Sequence, residues 1–87
     1  MKIKEGFILR EVAGNYIVVA VGSAVKEFNG MIHLNEVSAF LWRCLEKDCD
    51  EEGLLTALLN EYDVPEDVAR ADVKEFVKTL TEKGLLQ

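Results

Sequence analysis

Two hydrophobic periods divide the chain. From Phe7 to Leu34 the apolar residues fall in short β-rich runs, and from Asn35 onward they recur every three or four positions. The first half reads as strands. Phe7–Ala13 (FILREVA) alternates in part, and Tyr16–Val21 (YIVVAV) is rich in β-branched residues. Between them, Gly14-Asn15 is a two-residue pair suited to a primed hairpin turn. Tyr16–Val21 is apolar on both faces, which places it centrally, with a neighbour on each side. Gly22-Ser23 ends it. Ala24–Asn29 fits either a loop or continued pairing before a turn at Asn29-Gly30, and Met31–Leu34 makes a third, short strand. Met1–Gly6 reads as a frayed start.

Leu34 runs into a helix with no linker. Asn35 suits the N-cap, where a side-chain oxygen accepts from an orphan helix N–H. Val37, Phe40, Leu41, Cys44 and Leu45 then follow the i, i+3, i+4, i+7, i+8 pattern, so the first helix extends to about Lys47. Asp48, Cys49 and Asp50 interrupt it. Asp50 caps a second helix, whose first turn holds Glu51 and Glu52 at the positive end of the macrodipole. Its apolar stripe is Leu54, Leu55, Leu58, Leu59 and Tyr62. Pro65 reads as a first-turn residue of a third helix, followed by Glu66 and Asp67. Ala69, Val73, Phe76, Val77 and Leu80 form the third stripe, Gly84 is placed as a C-cap, and Leu85-Leu86 fold back onto the body. The order describes one α+β domain over residues 1–87: a three-stranded antiparallel sheet followed by three helices.

Composition narrows the function. With 49% apolar and 30% charged residues the chain is too apolar for disorder. The longest apolar run, Ile17–Val21, is far short of a membrane span, and Met1–Gly6 has no signal-peptide core, so a cytoplasmic protein without a membrane partner is expected. Cys44 and Cys49 with one distant histidine, His33, do not make a zinc ligand set, so no metal is expected. Cys44 in the helix stripe reads as a plain buried thiol, and Cys49 has no assigned role. There is no Gly-rich phosphate loop and no Ser-His-Asp spacing. Ser38 reads as a surface hydroxyl, and His33 as a strand-surface or half-buried residue. Trp42, off the centre of its stripe, reads as a seal at the sheet–helix boundary, with a ligand platform as the other reading. No catalytic residue is assigned, and a binding or interaction module is expected rather than an enzyme.

Four segments together resemble the PqqD-like domain, also called the RiPP recognition element. They are LRE at Leu9–Glu11, the strand YIVVAVG, the junction LNEVSAFLW at Leu34–Trp42, and DVKEFVKTLTEKGLL at Asp72–Leu86. The resemblance covers about residues 7–86. It implies a winged-helix-like fold and a chaperone role. The protein would bind the leader segment of a ribosomally made precursor peptide and present it to a modifying enzyme, often a radical SAM enzyme, in natural-product biosynthesis. Pyrroloquinoline quinone is one possible product. Gly22–Gly30 is an extra segment relative to the shortest members.

The family's mode is strand addition. A leader would pair with Met31–Leu34 as a fourth strand. Alternation puts Ile32 and Leu34 on one face, toward the core, and Met31 and His33 on the other. On the third helix, the edge of the Val73, Phe76, Val77 and Leu80 face would line the groove. Asp72 at its margin either bonds locally or meets the peptide. Binding near micromolar, about −8 kcal/mol, with no cofactor, is expected. A proline at Ile32 or His33 would abolish it.

The rival is a winged-helix DNA-binding regulator using Arg70, Lys74, Lys78 and Lys83. Charge opposes it: residues 1–45 carry five basic and four acidic residues, and residues 46–87 five basic and twelve acidic, so the helical half stands at −7 of a total of −6. A nucleic-acid partner is therefore not expected. A structural subunit of the modifying enzyme is a third reading, and an exposed edge strand also permits a strand-swapped homodimer.

Overall fold

The computed structural model describes residues 1–26, 28 and 30–87. Its elements are β1 (Phe7–Val12), β2 (Asn15–Ala20), a 3₁₀ helix (Gly22–Lys26), β3 (Met31–Leu34), α1 (Glu36–Cys44), α2 (Glu51–Glu61) and α3 (Glu66–Glu82). The strands form one antiparallel sheet in the order β1-β2-β3, so the β-branched β2 is central and β3 lies at an edge. This is the α+β arrangement expected from the sequence.

The hairpin turn falls one residue earlier than Gly14-Asn15. Val12 pairs with Asn15, leaving Ala13 (φ 52°) and Gly14 (φ 80°) in the turn. Both positive φ values are what a type I′ turn requires, and they match the twist of the strands. Ala13 is the unfavourable member, because a Cβ in the left-handed region crowds its own carbonyl. Replacing Ala13 with Asn or Gly should therefore stabilise the protein by about 0.5–1 kcal/mol, a rise of a few degrees in a thermal melt. An unchanged or lowered midpoint would contradict this account of the turn.

Register assigns the two sheet faces. Phe7, Leu9, Val18, Ile32 and Leu34 face the helices, with Val18 fully buried. Ile8, Arg10, Ile17, Val19, Met31 and His33 face away from them. After β2 the chain does not go on pairing: it turns into the 3₁₀ helix, whose Ala24 is buried against Gly6. A Cβ at Gly6 would sit 2.6 Å from that of Ala24, and Gly6 has φ 96°, so only glycine fits. Phe28 packs edge-on against Phe7, with ring centroids 5.6 Å apart. The expected turn at Asn29-Gly30 includes Asn29, which lies outside the described residues.

The helix ends follow their capping chemistry. Asn35 accepts from the Ser38 N–H at 2.8 Å and Asp50 from the Gly53 N–H at 2.7 Å. Helix α1 ends at Cys44, earlier than the expected Lys47, where the Leu45 N–H is shared between the Leu41 and Trp42 carbonyls. Pro65 is the N-cap residue of α3 rather than part of its first turn. At the far end Gly84 (φ 71°) closes a Schellman motif: the Leu85 N–H reaches the Leu80 carbonyl at 2.9 Å and the Gly84 N–H the Thr81 carbonyl at 3.1 Å.

The core joins Val18, Leu41, Trp42, Leu45, Leu54, Leu58, Val73, Leu80 and Leu85. Two expectations are corrected here. Met1–Gly6 is not frayed: the Ile3 side chain is buried, its N–H donates to the Leu45 carbonyl, and Ile3 bridges Leu86. Further bonds run from the Lys4 N–H to the Leu85 carbonyl and from the Gln87 N–H to the Lys2 carbonyl, while the Met1 ammonium pairs with Asp48 at 2.9 Å. Trp42 is neither a boundary seal nor a platform. It is 0% exposed at the centre of the core, because α1 buries Leu41, Trp42 and Leu45 and leaves Val37, Phe40 and Cys44 half-buried.

Candidate functional site

A two-residue hairpin determines which backbone groups of the sheet are free. In such a hairpin the residues flanking the turn exchange both main-chain bonds, and hydrogen-bonded pairs then alternate along the ladder. Val12 and Asn15 flank this turn, so Asn15, Ile17 and Val19 bond toward β1. The Val21 N–H donates to the Gly6 carbonyl at 2.7 Å, in phase with that alternation. Tyr16 and Val18 must then bond toward β3, where their partners are Leu34 and Ile32. It follows that Met31 and His33 turn their N–H and C=O groups to the outer edge. Among the described residues no strand of the chain pairs with that edge.

Beside this edge lies a groove of about 580 Å³ between β3, the start of α1, and α3. Met31, Ile32, His33 and Leu34 form one wall. Asp72, Phe76 and Leu80 stand on the other. Seven of the nine residues singled out from the sequence thus border one cleft. Val73 and Val77 do not. Val73 is 2% exposed and belongs to the core, and Val77 packs against that core half-buried. The apolar face of α3 is wide enough to serve both the helical core and the groove, and these two valines lie on the core side.

The groove also takes residues that sequence reasoning left out. Val37, Ser38 and Leu41 of α1, with the cap Asn35, close one side, and Glu75, Thr79 and Lys83 extend the α3 wall. Asp72, Glu75, Phe76, Thr79, Leu80 and Lys83 repeat at i, i+3, i+4, i+7, i+8 and i+11, one continuous helical face. The signal was present as the polar margin of the apolar stripe.

The lining is mixed in chemistry. Phe76 and Leu80 supply an apolar floor, and both are nearly fully buried. Asp72 and Glu75 add carboxylates and Lys83 an ammonium. None of these three is in an ion pair with another described residue, and Asp72 makes no side-chain hydrogen bond among them. Arg70, by contrast, is held outside the groove by Glu52 of α2 at 2.8 Å and Glu66 at 3.4 Å. Burial pushes the Cys44 thiol pKa up, with Cys49 and Glu61 adding to the effect, which disfavours its thiolate. No group of His, Cys, Asp and Glu among the described residues gathers as metal ligands.

Solved structures share this architecture. The chain aligns over 100% of its length with 95% of TbiB1, determined in complex with the TbiA(beta) leader peptide, at a TM-score of 0.77 and 22% identity. It aligns over 97% of its length with 93% of a lasso peptide synthetase B1, also determined with its leader peptide, at a TM-score of 0.72 and 18% identity. Among curated proteins none matches the chain in sequence. The family model for coenzyme PQQ synthesis protein D (PqqD) matches residues 15–86, from β2 to the segment that follows α3, and the chain belongs to that family.

Proposed function

We propose that this protein binds the leader segment of a ribosomally made precursor peptide by strand addition at β3 and presents it to a peptide-modifying enzyme. The observation that carries this reading is the outward-facing main chain of Met31 and His33 beside a cleft floored by Phe76 and Leu80. A guest strand there would gain backbone bonds worth about 0.5–1.5 kcal/mol net each and could bury every second side chain against Phe76 and Leu80. Both solved relatives were determined with leader peptides, which supports the same role here.

The protein acts as a chaperone rather than an enzyme, and a radical SAM enzyme is the proposed recipient. No helix among the described residues is long and apolar enough to cross a membrane, in keeping with a cytoplasmic site of action. The DNA-binding alternative loses support from Arg70, whose guanidinium is already shared between two carboxylates.

Titration calorimetry with the cognate leader peptide tests the proposal. A single site near micromolar, with no added cofactor, is expected. No heat, together with no change in the β3 amide shifts, would rule it out.

A further inference from the structure

The two ends of the α3 groove wall carry opposite charge. Asp72 and Glu75 stand at its N-terminal part and Lys83 at its C-terminal part, with Phe76, Thr79 and Leu80 between them. His33, on the facing strand, is the other titratable groove residue. Lys74 and Lys78 of the same helix are not on the groove wall, and no described residue pairs with the three α3 charges.

For a guest strand laid along α3, this polarity becomes a spacing. Glu75 and Lys83 are eight helical residues apart, about 12 Å at 1.5 Å per residue. A strand rises about 3.3 Å per residue, so four residues cover about 13 Å. Four is an even number, so both ends of that span project to the same face of an added strand.

We propose that the groove selects peptides with one basic and one acidic residue four positions apart around an apolar residue, all three facing α3. The inference rests on strand addition at β3. The basic side chain sits by Asp72 and Glu75, the acidic one by Lys83, and the apolar one over Phe76 and Leu80. Because the wall is polar in one direction only, it also selects the direction in which the peptide runs. Main-chain pairing alone would admit either direction, so this adds what the backbone bonds lack.

Three capped ten-residue Thr/Val strand peptides test it by amide-shift titration into the millimolar range. One carries Lys then Glu four positions apart around a central Val, the second has the two exchanged, and the third has Gln at both places. Either charge order can meet the wall by running in one of the two strand directions, so both Lys/Glu peptides are expected to bind at least about fivefold more tightly than the Gln peptide, and the difference should shrink in high salt. In the variant Asp72→Asn, Glu75→Gln, Lys83→Gln that advantage over the Gln peptide should disappear. The wild-type comparison decides the matter even if that variant folds poorly. Binding of the Gln peptide as tight as that of the two charged ones, with shifts at Met31 and His33, would overturn charge selection and leave strand addition standing. No shift of those amides by any of the peptides would overturn both.

Discussion

His33→Pro is expected to cut leader affinity at least about thirtyfold while leaving the fold intact. His33 presents its main chain to the outer edge, so a proline there removes a donor that the protein's own sheet does not use. Its ring also keeps a guest strand from closing to hydrogen-bond distance. Losing two or three neighbouring bonds at about 0.5–1.5 kcal/mol each accounts for the size of the effect. Ile32→Pro should behave differently. Ile32 bonds inward to Val18, so the same substitution one position earlier breaks the β2–β3 ladder and should lower the melting temperature markedly. Circular dichroism and calorimetry on both variants separate the two effects. The register argument fails if His33→Pro melts like Ile32→Pro, or if it binds leader as the wild type does.

The second large effect concerns stability. Trp42 is fully enclosed, and its Nε1 is buried with no hydrogen-bond partner among the described residues. Trp42→Ala should cost about 3–5 kcal/mol through lost contacts and the cavity left behind. That is a large share of the roughly 5–15 kcal/mol that holds a domain folded, so the melting temperature should fall markedly. Trp42→Phe keeps most of the packing and removes the orphaned donor, which offsets part of the loss. Denaturant midpoints should fall steeply for alanine and much less for phenylalanine. Equal losses for the two would contradict the packing account, because alanine alone leaves the large cavity.

Much of this architecture was legible in the chain because several local signals agreed. Asn35 and Asp50 announced helix starts through side chains that do cap, and Tyr16–Val21 announced a central strand through its two apolar faces. Other features were hidden for physical reasons. The hairpin turn was misplaced by one residue because alanine at a positive φ is disfavoured, and Gly14-Asn15 offered better turn chemistry than Ala13-Gly14. The N-terminal segment looked frayed because a single apolar residue, Ile3, anchors it, and one residue has no period. Trp42 was pushed to the boundary by an idealised stripe that α1 does not follow.

The groove was half legible. Its strand wall followed from alternation, and Phe76 and Leu80 from helical spacing. Glu75, Thr79 and Lys83 were missed because polar residues beside an apolar stripe look like any solvated flank until a second wall stands opposite. Val73 and Val77 were assigned to the groove because periodicity marks an apolar face without saying how that face divides between two neighbours.

Amide hydrogen exchange along β3 tests the central claim most directly. In the free protein Met31 and His33 should exchange quickly while Ile32 and Leu34, bonded to β2, are protected. With saturating leader, Met31 and His33 should become protected and Ile32 and Leu34 should change little. Protection of Met31 and His33 in the free protein, or bound leader that leaves both exchanging as before, would contradict recognition by strand addition at this edge.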